Sequence, residues 1–139
     1  MIKLKDLLEI SPTGYLLVER IDYYDTAKYL VKQYKLRSKV TFGKVRGQNK
    51  ADYDWIKDVI NLRKSYPSVK EFIITVLHEI DHATDRKKMG WRKYEKDYTE
   101  AGQDPEDKGG DFHDDNEFEE KAESWARKEY SRKWKQKFK

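Results

Sequence analysis

The sequence predicts an α+β fold: a small β-sheet packed on one central helix, followed by a C-terminal helix. Three observations carry this. Segments rich in β-formers lie ahead of residue 62, residues 68–90 carry complete helix signals, and helical spacing returns from residue 116 onward. A length of 139 residues suits one domain with one modest core, taken here as 1–139, with a basic helix end at 127–139.

The elements follow in order. "GYLLVERI" (14–21) comes after the turn signal "SPTG" and reads as a strand. Asp25 is placed to cap a helix whose apolar residues are Ala27, Leu30, Val31 and Tyr34. "SKVTFGKV" (38–45) alternates at Val40 and Phe42, with Gly43 as a candidate bulge. "DWIKDVINL" (54–62) alternates in its second half, at Ile60 and Leu62, and reads as one strand.

"SVKE" (68–71) is a capping box in which Ser68 caps the third amide and Glu71 reaches back. The stripe Ile73, Val76, Leu77, Ile80 and Ala83 faces the core, and Gly90 ends the helix. Residues 91–115 are polar and Gly-rich and read as a short helix and then a loop. The last helix begins near Asn116, with Phe118, Ala122, Trp125 and Ala126 on one face; Trp125 and Trp91 read as core or cleft-lining residues.

Composition narrows the classes. Aromatics at 14% argue for a folded chain. With no cysteine, a disulfide or thiolate metal site is excluded, and any metal must be held by His, Asp or Glu. The N-terminus lacks the apolar core of a signal peptide, and the longest apolar run, "FIITVL" (72–77), is too short for a bilayer, so the expectation is a cytoplasmic protein with no membrane partner. Charge is uneven: nine acids and one lysine between Asp104 and Glu120, then seven Lys/Arg and one acid from Arg127 to Lys139. Such a basic end can contact nucleic acid, but more often it is a solvated helix end, and the reading ranks it so. The acidic loop does not fit the EF-hand calcium pattern.

The chemistry lies in "TVLHEIDHATD" (75–85), which holds two of the three histidines. His78 and His82, four apart, share one helix face and can present two imidazole nitrogens to one ion. Glu79 lies one residue round, where it can act as a general base without being a ligand. This is the H-E-x-x-H arrangement of a zinc site. A third protein ligand is required. The metzincin extension is excluded, because Asp85 and Lys88 stand where its glycine and histidine would be. Candidates downstream are Glu119 or its helix neighbour Glu123, His113, and the aspartates 111, 114 and 115; Glu120 points about 100° away from Glu119. Asp85, on the ligand face, is a candidate partner for a ligating histidine. His113 and Tyr98 are candidate donors to a tetrahedral oxyanion.

"HEIDH" followed by "FEEKAESWA" (118–126) resembles the gluzincin metallopeptidases, in which a second helix carries Glu-x-x-x-Asp. It is similar also to the minigluzincins and to small metallopeptidase-like proteins of phages and bacteria. The resemblance covers roughly residues 58–126. It implies a zincin-like fold with Zn2+ as cofactor, Glu119 as third ligand and Glu123, standing where aspartate is usual, as the acid that orients a ligand. It further implies hydrolysis of peptide bonds in a protein or peptide substrate held beside an edge strand. The competing expectations are a non-catalytic zincin-fold binding or regulatory protein and a DNA-associated protease recruited by its basic end.

Overall fold

The computed structural model describes residues 22–45 and 47–138; the predicted strand at 14–21 lies outside them. The order is α1 (Tyr23–Gln33), β1 (Lys39–Phe42), β2 (Ala51–Asp54), β3 (Val59–Leu62), α2 (Val69–Met89), α3 (Trp91–Asp107), α4 (Glu117–Glu129) and a π-helical turn at Tyr130–Trp134. The architecture is α+β, with a three-stranded mixed sheet and four α-helices among the described residues.

The sheet runs β1-β3-β2, with β1 parallel and β2 antiparallel to β3. Ala51 pairs with Leu62 and Tyr53 with Ile60, so four buried side chains share one face and meet the helices. The segment read as one strand over 54–62 is thus a turn and a strand, and β2 comes before it. Asp54 Oδ1 accepts hydrogen bonds from the amides of Ile56 and Lys57, and Asp58 adopts φ +59°, so the chain reverses between β2 and β3. Gly43 ends β1 at φ +79°, its amide donating to Leu62, and makes no bulge.

Helix α1 starts earlier than predicted. Asp22, not Asp25, is the N-cap, accepting from the Asp25 amide at 3.0 Å. In α2, Ser68 accepts from the Glu71 amide at 3.1 Å as the capping box requires. The Glu71 carboxylate turns instead toward Lys50 and Arg127. The core face of α2 is wider than the predicted stripe: every residue from Phe72 to Ala83 except His78 is buried. A helix so enclosed is a central one, covered by the sheet, α3 and α4.

Gly90, at φ +83°, separates α2 from α3 by a single residue. The short helix expected at the start of 91–115 is instead a 17-residue helix, and the loop is confined to the residues after it. Its buried residues are Tyr94, Tyr98 and Gly102, spaced by four. At Gly102 a Cβ would lie 2.7 Å from the Phe112 ring, so the close approach of the loop after α3 depends on glycine there. Asn116 caps α4 as expected, and Ala122 and Ala126 are fully buried against α2.

The basic end is not a free tail. Tyr130, Trp134 and Phe138 belong to the same core as Ala27, Leu30 and Ile80. Trp134 Nε1 donates to Tyr34 Oη at 2.9 Å, and Tyr34 donates to Glu129 at 2.7 Å. Burying side chains of this size is worth about 1.5–3 kcal/mol each, which fastens the segment and leaves its lysines on the surface.

Candidate metal centre

The site forms where α2 and α4 cross. The four-residue spacing of His78 and His82 on α2 puts both rings on one face, with centroids 4.9 Å apart. From α4, Glu119 Oε1 lies 2.7 Å from His78 Nε2 and 2.9 Å from His82 Nε2. Two imidazole nitrogens and one carboxylate oxygen thus fall within 4.8 Å of one another. A tetrahedral zinc ion at about 2.0–2.1 Å from each donor would hold them about 3.3 Å apart. The two contacts of Glu119 are roughly half an ångström shorter than that, and the donor set fits the ion in its chemistry, two imidazoles and a carboxylate.

Each donor has its own support. His78 Nδ1 faces Glu123 Oε1 at 3.0 Å, and Glu123 is held in turn by Arg127 Nε at 2.8 Å. His82 Nδ1 faces the hydroxyl of Tyr94 at 2.9 Å. The second oxygen of Glu119 accepts from Tyr98. The two tyrosines stack with centroids 5.7 Å apart.

Charge follows this arrangement. Burial alone would lower the His78 pKa, but its hydrogen bonds to Glu119 and Glu123 outweigh burial and hold it up at about 10. Burial would raise Glu119, but its hydrogen bonds with His78 and His82 hold it well below the ordinary carboxylate range. Glu123 is lowered to about 2, chiefly by its hydrogen bond with His78. Glu79 goes the other way: it is buried, and loss of water raises its carboxyl above the ordinary 4.5. Among the described residues its carboxylate makes no hydrogen bond or ion pair.

These groups open on a cleft of about 650 Å³. One rim is Gln48 to Ala51, the approach to and first residue of the edge strand β2; the other carries Glu120, Glu123 and Ser124 of α4. His113 lies on the cleft, half-exposed, with Nε2 at 3.3 Å from Glu119 Oε2.

The remaining candidates fall elsewhere. Asp111 accepts from the amides of His113 and Asp114, which lowers its pKa, and Asp115 accepts from the Asp111 amide, so both serve their own loop. Asp114 stands at the exposed cleft rim and Glu120 on the exposed side of α4. Asp85 faces no histidine: with Asp81 it meets Lys121 of α4, at 2.9 and 2.8 Å, a clamp between the two helices. Tyr98 holds Glu119 and has no hydroxyl left to offer an oxyanion. Trp125 packs on Tyr34 away from the cleft.

Tyr94 is a functional candidate that the sequence reading of 91–115, a short helix and then a loop, does not single out. The signal was Tyr94, Tyr98 and Gly102 at helical spacing.

No family model, no curated protein and no solved structure matches the chain. Among the described residues, no helix is long and apolar enough to cross a membrane.

Proposed function

We propose that the protein is a zinc-dependent metallopeptidase of zincin-like, gluzincin-type fold. The observation that supports this best is the convergence of His78, His82 and Glu119 on one point, beside a buried, unpartnered Glu79, on the wall of an open cleft. A helix that merely carried two surface histidines would not need Glu79 in the core, nor a third donor from another helix aimed at both rings.

Zinc bound by these three residues would supply Lewis-acid chemistry, lowering the pKa of a water molecule and polarising a peptide carbonyl. Glu79 is the general base. Burial raises its pKa above the ordinary carboxylate value, which makes it a stronger base for taking a proton from water and delivering it to the leaving amine. Glu123 orients His78, holding its Nδ1 proton so that Nε2 faces the ion. Tyr98 donates to Glu119, and the half-exposed His113, with Nε2 3.3 Å from the same carboxylate, would have to turn from it to donate to the developing oxyanion. An extended peptide lies along the β2 rim, and the absence of cysteine suits work in the cytoplasm.

Glu79→Gln tests this reading. The variant keeps its zinc and its fold, and cleavage of a broad peptide library falls by about 10²–10⁴-fold. Equal cleavage by the two proteins removes Glu79 from the mechanism. Zinc binding with cleavage by neither protein turns the reading to a non-catalytic metal protein.

A further inference from the structure

We infer that Tyr94 is the positioning residue of His82, holding its ring in whichever tautomer the metal requires; the inference rests on the zinc reading above. His82 is 3% exposed and Tyr94 1%, so neither side chain has water to turn to. With His82 Nε2 at 2.9 Å from Glu119, the other ring nitrogen has one hydrogen-bond partner among the described residues, the Tyr94 hydroxyl, also at 2.9 Å. The hydroxyl cannot drift, because the Tyr94 ring is packed between Trp55, Tyr98 and Phe118, with centroids 5.9, 5.7 and 5.6 Å away.

The residue type matters. A carboxylate only accepts, so Glu123 fixes the proton of His78 on Nδ1. A phenol both donates and accepts. When His82 Nε2–H donates to Glu119, Tyr94 O–H can donate to Nδ1. When Nε2 gives its lone pair to a metal, the ring proton lies on Nδ1 and donates to Tyr94 Oη. Tyr94 thus serves His82 in both forms without moving. A phenol adds no charge to the site.

Tyr94→Phe removes the hydroxyl and keeps the packed ring. The expected result is a 10–100-fold loss of zinc affinity by chelator competition, with an altered visible spectrum for the cobalt-substituted protein. The metal-free melting temperature should stay within a few degrees of wild type. Unchanged affinity together with an unchanged cobalt spectrum overturns the inference and leaves the zinc site standing. Wild-type protein that takes up no zinc at all removes the zinc reading and this inference with it. Should Tyr94→Phe fail to fold, nitrogen-15 NMR of the zinc-loaded wild type decides. A His82 Nδ1 proton protected from exchange supports the role, and one exchanging freely with water overturns it.

Discussion

The two histidines of α2 meet the same carboxylate from different surroundings. The side chain of His78 is 14% exposed and rests on Glu123, itself 42% exposed and tied to Arg127, so this side of the site is ionic and touched by water. His82 rests on a neutral phenol inside a stack of aromatic rings, and this side is dry. A single helical turn thus carries one proposed ligand at the lip of the cleft and one built into the core. Ligand type and spacing say nothing of this difference. It is set by what α3 and α4 bring against each ring, and it decides how losing a proposed ligand weakens the fold.

The largest effect should come from removing the ligands themselves. His78→Ala and His82→Ala should each weaken zinc binding by about 10²–10³-fold, a share of the roughly 10–16 kcal/mol of a structural zinc site. The two should part company without metal. His82→Ala leaves a hole and an unpartnered Tyr94 hydroxyl, for a stability loss of about 2 kcal/mol. His78→Ala removes the imidazole that Glu119 and Glu123 face, so its loss should fade as pH rises toward 10 while the His82→Ala loss does not, and the gap between the two variants depends on pH. Denaturant titration of the metal-free variants measures the gap, and equal losses at every pH would erase the contrast between wet and dry sides.

A smaller effect is expected at Glu123. Glu123→Gln should lower zinc affinity about tenfold and change the pH profile of the metal-free protein. His78 is raised to about 10, so its contribution to stability is complete below its ordinary 6.5 and is lost as pH rises through 10. Glu123 is lowered to about 2, so its contribution is complete above its ordinary 4.5 and is lost as pH falls through 2. Their pairing therefore stabilises the metal-free fold fully between about pH 4.5 and 6.5. Melting temperatures from pH 4 to 10 should decline toward the alkaline end in wild type and decline less in Glu123→Gln. Identical profiles would show that this pair is not linked to folding.

The smallest effect belongs to Asp85→Asn. Asp85 meets Lys121 and no imidazole, so zinc affinity should stay within about threefold, and the weakened clamp should cost about 1 kcal/mol. A tenfold loss of zinc would instead make Asp85 part of the ligand support.

Much of this was legible in the sequence because local signals and tertiary demands agree in α2. Ser68 caps, Gly90 stops, and the stripe between them points inward. The pair His78 and His82 followed from spacing alone, and the placing of Glu119 and Glu123 from the resemblance. Elsewhere the signals conflicted. β2 alternates, with Ala51 and Tyr53 inward and Asp52 and Asp54 outward, but it is four residues long and half aspartate, a residue poor in strands, and pairing with β3 makes it a strand. α3 is rich in charge and contains Gly102 and Pro105, composition that reads as loop. Its helix is fixed by Tyr94 and Tyr98 packing under the site, which no local rule weighs. Asp85, which meets Lys121, and Tyr98, which donates to Glu119, show the limit of spacing: it tells which face a side chain occupies, not which partner from another helix reaches it first.

The docked C-terminal residues bear on how the site answers to damage. Trp134 and Phe138 follow every proposed ligand in the chain, yet they line the core that also holds Ala27 and Leu30 from the first described helix. A chain cut between Ala126 and Tyr130 would keep all three proposed ligands, His78, His82 and Glu119, and lose the seal of its interior. The donors stand on α2 and α4, and the core beneath those helices is closed by side chains that touch none of the donors. Damage to Trp134 would therefore reach the site through the packing, with every proposed ligand still in place.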